Sequence, residues 1–408
     1  MDQWRADDGP ALPLIPPTHG AARIALWRDP RARSILLQVL FGAAILAVVA
    51  FVAWNTAANL TRYNIRLGLQ FLDRPAGFDI LQRLIPYNEA SSYGRAFVVA
   101  ILNTLVLSAV GIVFATILGF FIGLARLSSN WLVARLAAIY IETLRNIPLL
   151  LQLFFWYFAI LRPLPGPRQS LSLPGDIFLN NRGLYLPAPV FEPGSGIVGL
   201  ILLAALAAVV GIRVWAQHRQ AATGERPPAG LLTLAPLIGL PLLAAAATGF
   251  PLSWDRPALA GFNFAGGLVV LPEFVAMAVA LSTYSAAFIA EVVRGGVLSV
   301  AHGQVEAARA VGLRQGAIYR LVVIPQALRA IVPPLTSQYL NLIKNSSLAA
   351  AIAYPELTQI FAGTVLSQTG QPFEVMALTM GVYLSISLGV SWLMNWYNRR
   401  VALRERPA

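Results

Sequence analysis

The chain is 408 residues long, 57% hydrophobic and only 12% charged, whereas soluble domains carry charge on about 25% of their residues. Its apolar residues come in blocks of roughly 20, the length that crosses a ~30 Å hydrocarbon core at ~1.5 Å per helical residue, so the sequence reads as a membrane protein. The net charge of +12 is scattered between those blocks rather than gathered on one basic face, which argues against nucleic-acid binding. The absence of cysteine excludes a disulfide framework, and three separated histidines (His19, His218 and His302) argue against a metal centre.

The first 33 residues, rich in Pro, Arg and Asp, read as a loosely ordered cytoplasmic tail. The first apolar block, Ile35–Trp54, is too long and begins too late for a cleaved leader, and it ends in Asn55-Thr56 without a small-x-small site. It is expected to remain as a first span, within a segment 34–96 that also holds an outer loop. Seven further spans are expected near Phe97–Leu124, Leu136–Ile160, Ile197–Trp215, Leu231–Gly249, Leu268–Val293, Ile331–Tyr354 and Phe373–Trp396. The expected fold is therefore all-α and polytopic, with about eight transmembrane helices. In this order nineteen arginines fall on the side of the N-terminus and nine on the other, the bias that places both termini in the cytoplasm.

The spans differ in character. The fourth and fifth are built of Ala, Leu, Gly and Val, with Pro- and Gly-rich flanks, and read as a hairpin inserted at 161–268. It divides a five-helix core into 97–160 and 269–398, ahead of a tail at 399–408. The core spans carry the ionisable residues. Glu142 and Arg145, like Glu291 and Arg294, are spaced to pair on one helix face. Lys344 precedes Asn345, Ser346 and Ser347, four polar positions that line a path or bind backbone between helices. Gly119 and Gly123 form a Gly-xxx-Gly face suited to close packing.

Between the sixth and seventh spans, within a cytoplasmic segment 295–330, lies Gly303-Gln-Val-Glu-Ala-Ala-Arg-Ala-Val-Gly312, continuing to Val322-Val-Ile324-Pro325. It reads as a short helix stopped at Gly312, a second short helix, and a proline that opens the next element. Ala307 and Ala308 have too little bulk to keep a partner's surface away, so the segment is a compact knob shaped for docking. These residues resemble the Glu-Ala-Ala loop of ABC importer permeases: Glu306, Ala307, Ala308, Gly312 and Pro325 match in kind and spacing, with Ile324 a conservative change. Arg145-Asn-Ile-Pro148-Leu-Leu150, Ala286–Gly295 and Leu342–Leu348 are similar to segments of the polar amino-acid uptake permeases. The extra first span, the outer loop with Ala76-Gly-Phe-Asp79 and the inserted hairpin resemble the first permease subunit of general L-amino-acid importers.

The resemblance implies a permease fold with a five-helix core in the bacterial inner membrane. It also implies docking of the loop on a dimeric ATPase that holds ATP and Mg, a second homologous permease, and a periplasmic binding protein that delivers an L-amino acid. No Gly-x4-Gly-Lys-Ser/Thr loop occurs here, and the chain's one lysine, Lys344, lies inside a span, so hydrolysis falls to another chain and no cofactor or catalytic group is expected in this one. A secondary transporter of small polar solutes driven by an ion gradient is the rival, but it leaves the docking loop without a purpose.

Overall fold

The computed structural model describes residues 30–62, 68–224 and 227–401, in two compact units, Met1–Arg66 and Leu67–Ala408. In the first, helix α1 (Pro30–Arg62) runs unbroken, with Leu, Ile, Val and Phe side chains exposed along it. Most of the expected N-terminal tail lies outside the described residues, as do Arg404 and Arg406 of the C-terminal one.

In the second unit, α2 (Tyr93–Arg126) starts at Ser92, whose hydroxyl accepts from Arg95 N–H. Helix α3 (Trp131–Asn146) starts at Asn130, which accepts from Leu132 and Val133 N–H. Ile147, forced toward extended backbone by Pro148, ends it at φ −94°, ψ 126°. Helix α4 (Leu149–Phe154) then resumes and passes through a π turn to Leu161, bent 104° from α3. The expected continuous span Leu136–Ile160 is thus a broken one. At the expected hairpin, α5 (Ser195–Thr223) packs against α6 (Ala229–Leu234) and α7 (Leu240–Ala247), which are joined by a π turn. The core resumes with α8 (Pro272–Leu298), followed by α9 (His302–Ala310), α10 (Gln315–Ile318), α11 (Ile324–Asn345), α12 (Leu366–Thr369) and α13 (Pro372–Val401).

Among the described residues six helices are long and apolar enough to cross a membrane, or seven if the bent α3–α4 pair counts as one span. The expected eight is not reached. The fifth expected span contributes only the shorter apolar helix Leu232–Ala247, where Pro236 and Pro241 lack amide donors and a π turn intervenes.

Helix α8 is the centre of the bundle and packs on α2, α3, α4 and α11, while α13 packs on α11. The α2–α8 contact is close because α2 presents small residues to it. A β-carbon at Gly119 would lie 2.7 Å from Ile289 Cβ, and one at Gly123 would lie 2.7 Å from the Ala290 carbonyl oxygen. The Gly-xxx-Gly face is therefore used within the chain.

Helix α11 ends at Asn345, short of the expected Tyr354. A 3₁₀ turn (Ser346–Ile352), left-handed Ala353 (φ 59°) and a π segment (Thr358–Val365) follow it. That break is pinned from three sides. Asn103 of α2 donates to the carbonyls of Pro355 and Gln82, each at 2.8 Å, and Thr104 Oγ1 accepts from Leu357 N–H. Fully buried Glu356 accepts from Thr358 N–H, Gln359 N–H and the Tyr383 hydroxyl of α13. The loop ahead of α2 enters the same core, burying Phe71, Ile80 and Tyr87 beside Leu357 and Phe361. Burial, reinforced by Asp79, pushes the Tyr87 phenol up to about 12, and it donates to the Phe78 carbonyl.

The flanks of the hairpin contain strands that their Pro and Gly content gave no reason to expect. These are β1 (Leu171–Leu173), β2 (Ile177–Asn180), β3 (Gly183–Leu186), β4 (Ala188–Phe191), β5 (Leu252–Asp255), β6 (Ala258–Ala260), β7 (Asn263–Ala265) and β8 (Leu268–Val270). They form one antiparallel sheet of order β1-β2-β3-β8 and two ribbons, β4-β5 and β6-β7. Leu268–Val270, expected at the head of the sixth span, is strand β8, and Pro272 opens α8 two residues later.

Candidate functional site

Two regions bring together the residues singled out in the sequence. The first is the knob between α8 and α11. Helix α9 ends as a Schellman motif: Leu313 N–H donates to Ala308 O (3.2 Å) and Gly312 N–H to Arg309 O (2.9 Å). The motif requires Gly312 at φ +80°, a conformation costly for side-chain-bearing residues. Buried Ala308 packs with Ile318 and Val323, which holds α9 on α10 and on the π turn Tyr319–Val323. Glu306, Ala307, Val311 and Ile324 face outward, and Val311 is 76% exposed. His302 Nδ1 lies 3.0 Å from Glu306 Oε1 across the first turn of α9, with both side chains well exposed. Pro325 sits in the first turn of α11, where its missing N–H costs nothing. The knob therefore has a packed interior and a mixed outer face, with Ala307, Val311 and Ile324 exposed among Glu306, Arg309, Arg314 and Arg320, and it continues directly into two packed helices, α8 and α11.

The second region is a partly open cleft of about 250 Å3 between α8 and α11, lined by Tyr284, Ser285, Phe288, Gln338, Asn341, Lys344 and Asn345. Its depth follows from packing. A β-carbon at Gly111, near the middle of α2, would meet Leu281 and Leu342 at 3.1 and 3.3 Å. Leu281 lies one turn from Ser285, and Leu342 adjoins Asn341, so the cleft lies near the middle of the bundle. The Arg145 guanidinium stands 5.1 Å from the ring centroid of Phe288, one of the lining residues, a cation–π distance. Tyr140 donates to Thr283 O, and the Tyr339 and Thr116 hydroxyls lie 2.9 Å apart. These contacts fix α3 on α8 and α11 on α2 around the cleft. Larger hollows, about 500 Å3 beside Arg33–Phe41 and about 480 Å3 beside Asp176 and Trp254, are lined mainly by one helix and by the β elements respectively.

The sequence candidates divide between these surroundings. Lys344 and Asn345 line the cleft, while Ser346 and Ser347 turn back, donating to Ile343 O and Lys344 O at 2.7 Å. Glu291 and Arg294 pair at 2.9 Å. Glu142 and Arg145 form no ion pair: Arg145 leans on Phe288, and Asn146 donates to the Glu142 carbonyl. Gln338, Asn341, Tyr284 and Ser285 were not singled out. For Gln338 and Asn341 the signal was the spacing Gln338-x2-Asn341-x3-Asn345, which puts three carboxamides on one side of α11. No group of three or more His, Cys, Asp or Glu suited to a metal ion occurs among the described residues.

Comparison with known proteins gives consistent relatives. Residues 231–403 match the family described as the binding-protein-dependent transport system inner membrane component. YhdX of Escherichia coli (strain K12), provisionally named an amino-acid ABC transporter permease, is 53% identical over 93% of this chain and 97% of its own. The general L-amino acid transport system permease AapQ of Rhizobium johnstonii is 50% identical over 96% of this chain and 98% of its own. The glutamate/glutamine/aspartate/asparagine transport system permease BztB of Rhodobacter capsulatus is 41% identical over 97% of this chain and all of its own, at 100%.

Proposed function

The chain belongs to the amino-acid ABC transporter permeases, and from that premise we propose that it carries L-amino acids inward across the bacterial inner membrane. A separate ATPase dimer, loaded with ATP and Mg, would supply the energy, and a binding protein would deliver the solute. A second, homologous permease would complete the pathway. The named relatives support this solute class, and the arginine distribution supports both termini in the cytoplasm.

The observation that carries the mechanism is the Schellman-capped knob at Glu306–Pro325, which is packed within, is attached to both α8 and α11, and exposes Ala307, Val311 and Ile324 among charged side chains. Seated in a groove of the ATPase, the knob would move as one body when the nucleotide-bound dimer closes. Because α8 and α11 also form the walls of the mid-bundle cleft, the same motion would change which side the cleft opens toward. ATP and the loaded binding protein then act as ligands that bias two states of one bundle. In this scheme Glu306, Ala307, Ala308, Gly312, Ile324 and Pro325 form the coupling element. Lys344, Asn345, Arg145 and the carboxamides of Gln338 and Asn341 face the solute, with Ser346, Ser347 and Glu142 shaping the adjoining helix ends. An ion-gradient mechanism would leave the knob with no partner.

The test is uptake of labelled L-amino acids by cells expressing the full transport system with Gly312→Val in this subunit. A β-branched residue is strongly disfavoured at φ +80°, while the space around a β-carbon there is empty, so the damage is confined to the cap. Uptake should be lost and the ATPase released from the membrane, with the subunit inserted at normal abundance. Undiminished uptake would refute the coupling role.

A further inference from the structure

The four-stranded sheet β1-β2-β3-β8 has one face that its own chain closes and one that it leaves open. On the closed face the Phe264 ring of β7 lies 4.7 Å from that of Phe178 and 4.9 Å from that of Tyr185, whose hydroxyl donates to Asn263. The open face carries the alternate positions of the same strands. There Leu171 pairs with Leu179, Leu184 with Val270 and Leu186 with Leu268, and every residue on that face is Leu, Ile or Val. A sheet face left to water is normally polar, in alternation with the covered one. This one is wholly aliphatic, yet no position on it is fully buried, and Leu171, Leu173 and Leu268 on the edge strands are 49, 48 and 52% exposed.

The apolar surface continues beyond the sheet. Ile177 and Leu186 share the hollow of about 480 Å3 with Trp254. On the β4-β5 ribbon Trp254 lies on the same face as Leu252 and Phe191, and all three are exposed. Only a few residues join this ribbon to α5 and to α7, so its depth follows from α5. Arg213, Trp215 and Arg219, the last two in cation–π contact at 5.4 Å, mark one membrane edge of that helix. From Arg213 back to Ser195 is about 27 Å of helix at ~1.5 Å per residue, close to the ~30 Å hydrocarbon thickness. Phe191 and Trp254 therefore emerge at the opposite headgroup layer, where aromatic side chains concentrate. Strand β8 is held near that level from two sides. It pairs with β3, which ends one residue before β4, and α8 opens at Pro272 just after it.

We propose that the open face of this sheet, together with the Trp254 side of the ribbon, lies on the membrane and is covered by phospholipid. In the topology given above, that lipid belongs to the outer leaflet. The β elements then form an interfacial platform rather than a domain standing in water, and they hold the outer end of α8 at a fixed depth. A protein is the competing occupant. A partner that docks and leaves in each cycle uses a surface about as apolar as the rest of its exterior, and this face, without one polar side chain, is not of that kind. The inference needs only the membrane-spanning fold and is independent of which solute is carried.

The chain has no cysteine, so single introduced cysteines can carry a nitroxide label. The full transport system is reconstituted in nanodiscs of phosphatidylethanolamine and phosphatidylglycerol, and a wild-type sample treated identically gives the background from partner subunits. Leu173→Cys and Leu268→Cys report the open face, and Ser172→Cys reports the other face of the same sheet. Leu203→Cys, at an exposed position of α5, supplies the lipid reference. Collision of each label with oxygen, which dissolves in hydrocarbon, is compared with collision with a water-soluble nickel chelate. At positions 173 and 268 oxygen should dominate as it does at 203, and the ratio should reverse at 172. Dominance of nickel at 173 and 268 would overturn the proposal by showing water there. An immobilised label shielded from both reagents would also overturn it, since that is the signature of a protein covering the face.

A second measurement uses the wild type. A phospholipid carrying a carbene precursor near the top of an acyl chain is photolysed in the same nanodiscs, and its adducts are mapped by mass spectrometry. Adducts should appear in the peptides that hold Leu171–Leu173 and Leu268–Val270 as well as in α5. Adducts in α5 without any in those strands would count against lipid as the occupant and overturn the proposal.

Discussion

The close approach of α2 to α8 makes a sharp quantitative prediction at Gly119. A β-carbon there would lie 2.7 Å from both Cβ and Cγ2 of Ile289 and 2.9 Å from the Ala286 carbonyl oxygen. Neither obstacle yields easily, since one is a side-chain branch point and the other is backbone. Forcing extra methyl groups into a packed interface costs typically about 1–3 kcal/mol. Valine adds a β-carbon and two methyls, which points to the upper end, and its better helix propensity returns only a few tenths of a kcal/mol over glycine. The expected net loss for Gly119→Val is therefore about 2–3 kcal/mol, from the propensity and overpacking terms together. Gly199 of α5, where a β-carbon meets nothing within 4 Å, supplies the control: Gly199→Val should be neutral within about 0.5 kcal/mol. The assay is the thermal midpoint of detergent-solubilised protein followed by size-exclusion fluorescence. Adding Gly123→Val should cost less than its own effect alone, because one outward shift of α2 relieves both clashes. A Gly119→Val protein as stable as Gly199→Val would refute the packing argument.

Three further outcomes are expected. Asn103→Ala should expose the loop before α2 to limited proteolysis and lower stability by about 1–3 kcal/mol, because the buried Pro355 carbonyl and the partly buried Gln82 carbonyl lose their donor. Glu356→Gln replaces one of two accepting oxygens with an amide donor that faces the N–H and O–H groups of its partners. It should lower the thermal midpoint more than Tyr383→Phe, which removes one of the three hydrogen bonds. Glu291→Gln, by contrast, should change stability by less than about 1 kcal/mol, because the Arg294 pair is local and partly solvated.

The helices were largely legible because apolar blocks of membrane length carry a strong signal. Phe97–Leu124 lies within α2, Ile197–Trp215 within α5 and Phe373–Trp396 within α13. The breaks were harder to read. Pro148 marked the bend after Ile147, yet Pro333 and Pro334 sit inside α11 without ending it, so proline alone does not locate an interruption. The interruption that matters there follows Asn345 and is held by Asn103 and Tyr383, partners distant in sequence that no local pattern reveals. For the same reason Glu356 escaped notice: its importance comes from burial and donors, not from a motif. At the knob the motif and the geometry coincide, because a Schellman cap is a local device written in adjacent residues. The cleft was half legible, through Lys344 and Asn345, whereas its other wall depends on how α8 faces α11.

The pairing of β3 with β8 and of β4 with β5 also bears on how the chain assembles. Leu184 faces Val270 and Ala188 faces Asp255, so the chain leaves the core and returns to it one strand spacing apart, about 4.8 Å. Helices α2 and α8, which form the most extensive contact of the bundle, are separated in sequence by α3, α4, the strands and the α5–α7 hairpin. Once the ladders zip, the intervening hairpin no longer counts toward the loop that must close to bring those helices together. The effective separation falls to the stretch through α3, α4, β1 and β2, and the entropic cost of docking α8 on α2 falls with it. The strands thus act as a clasp that lets a long detour in the sequence behave, during folding, as a short one.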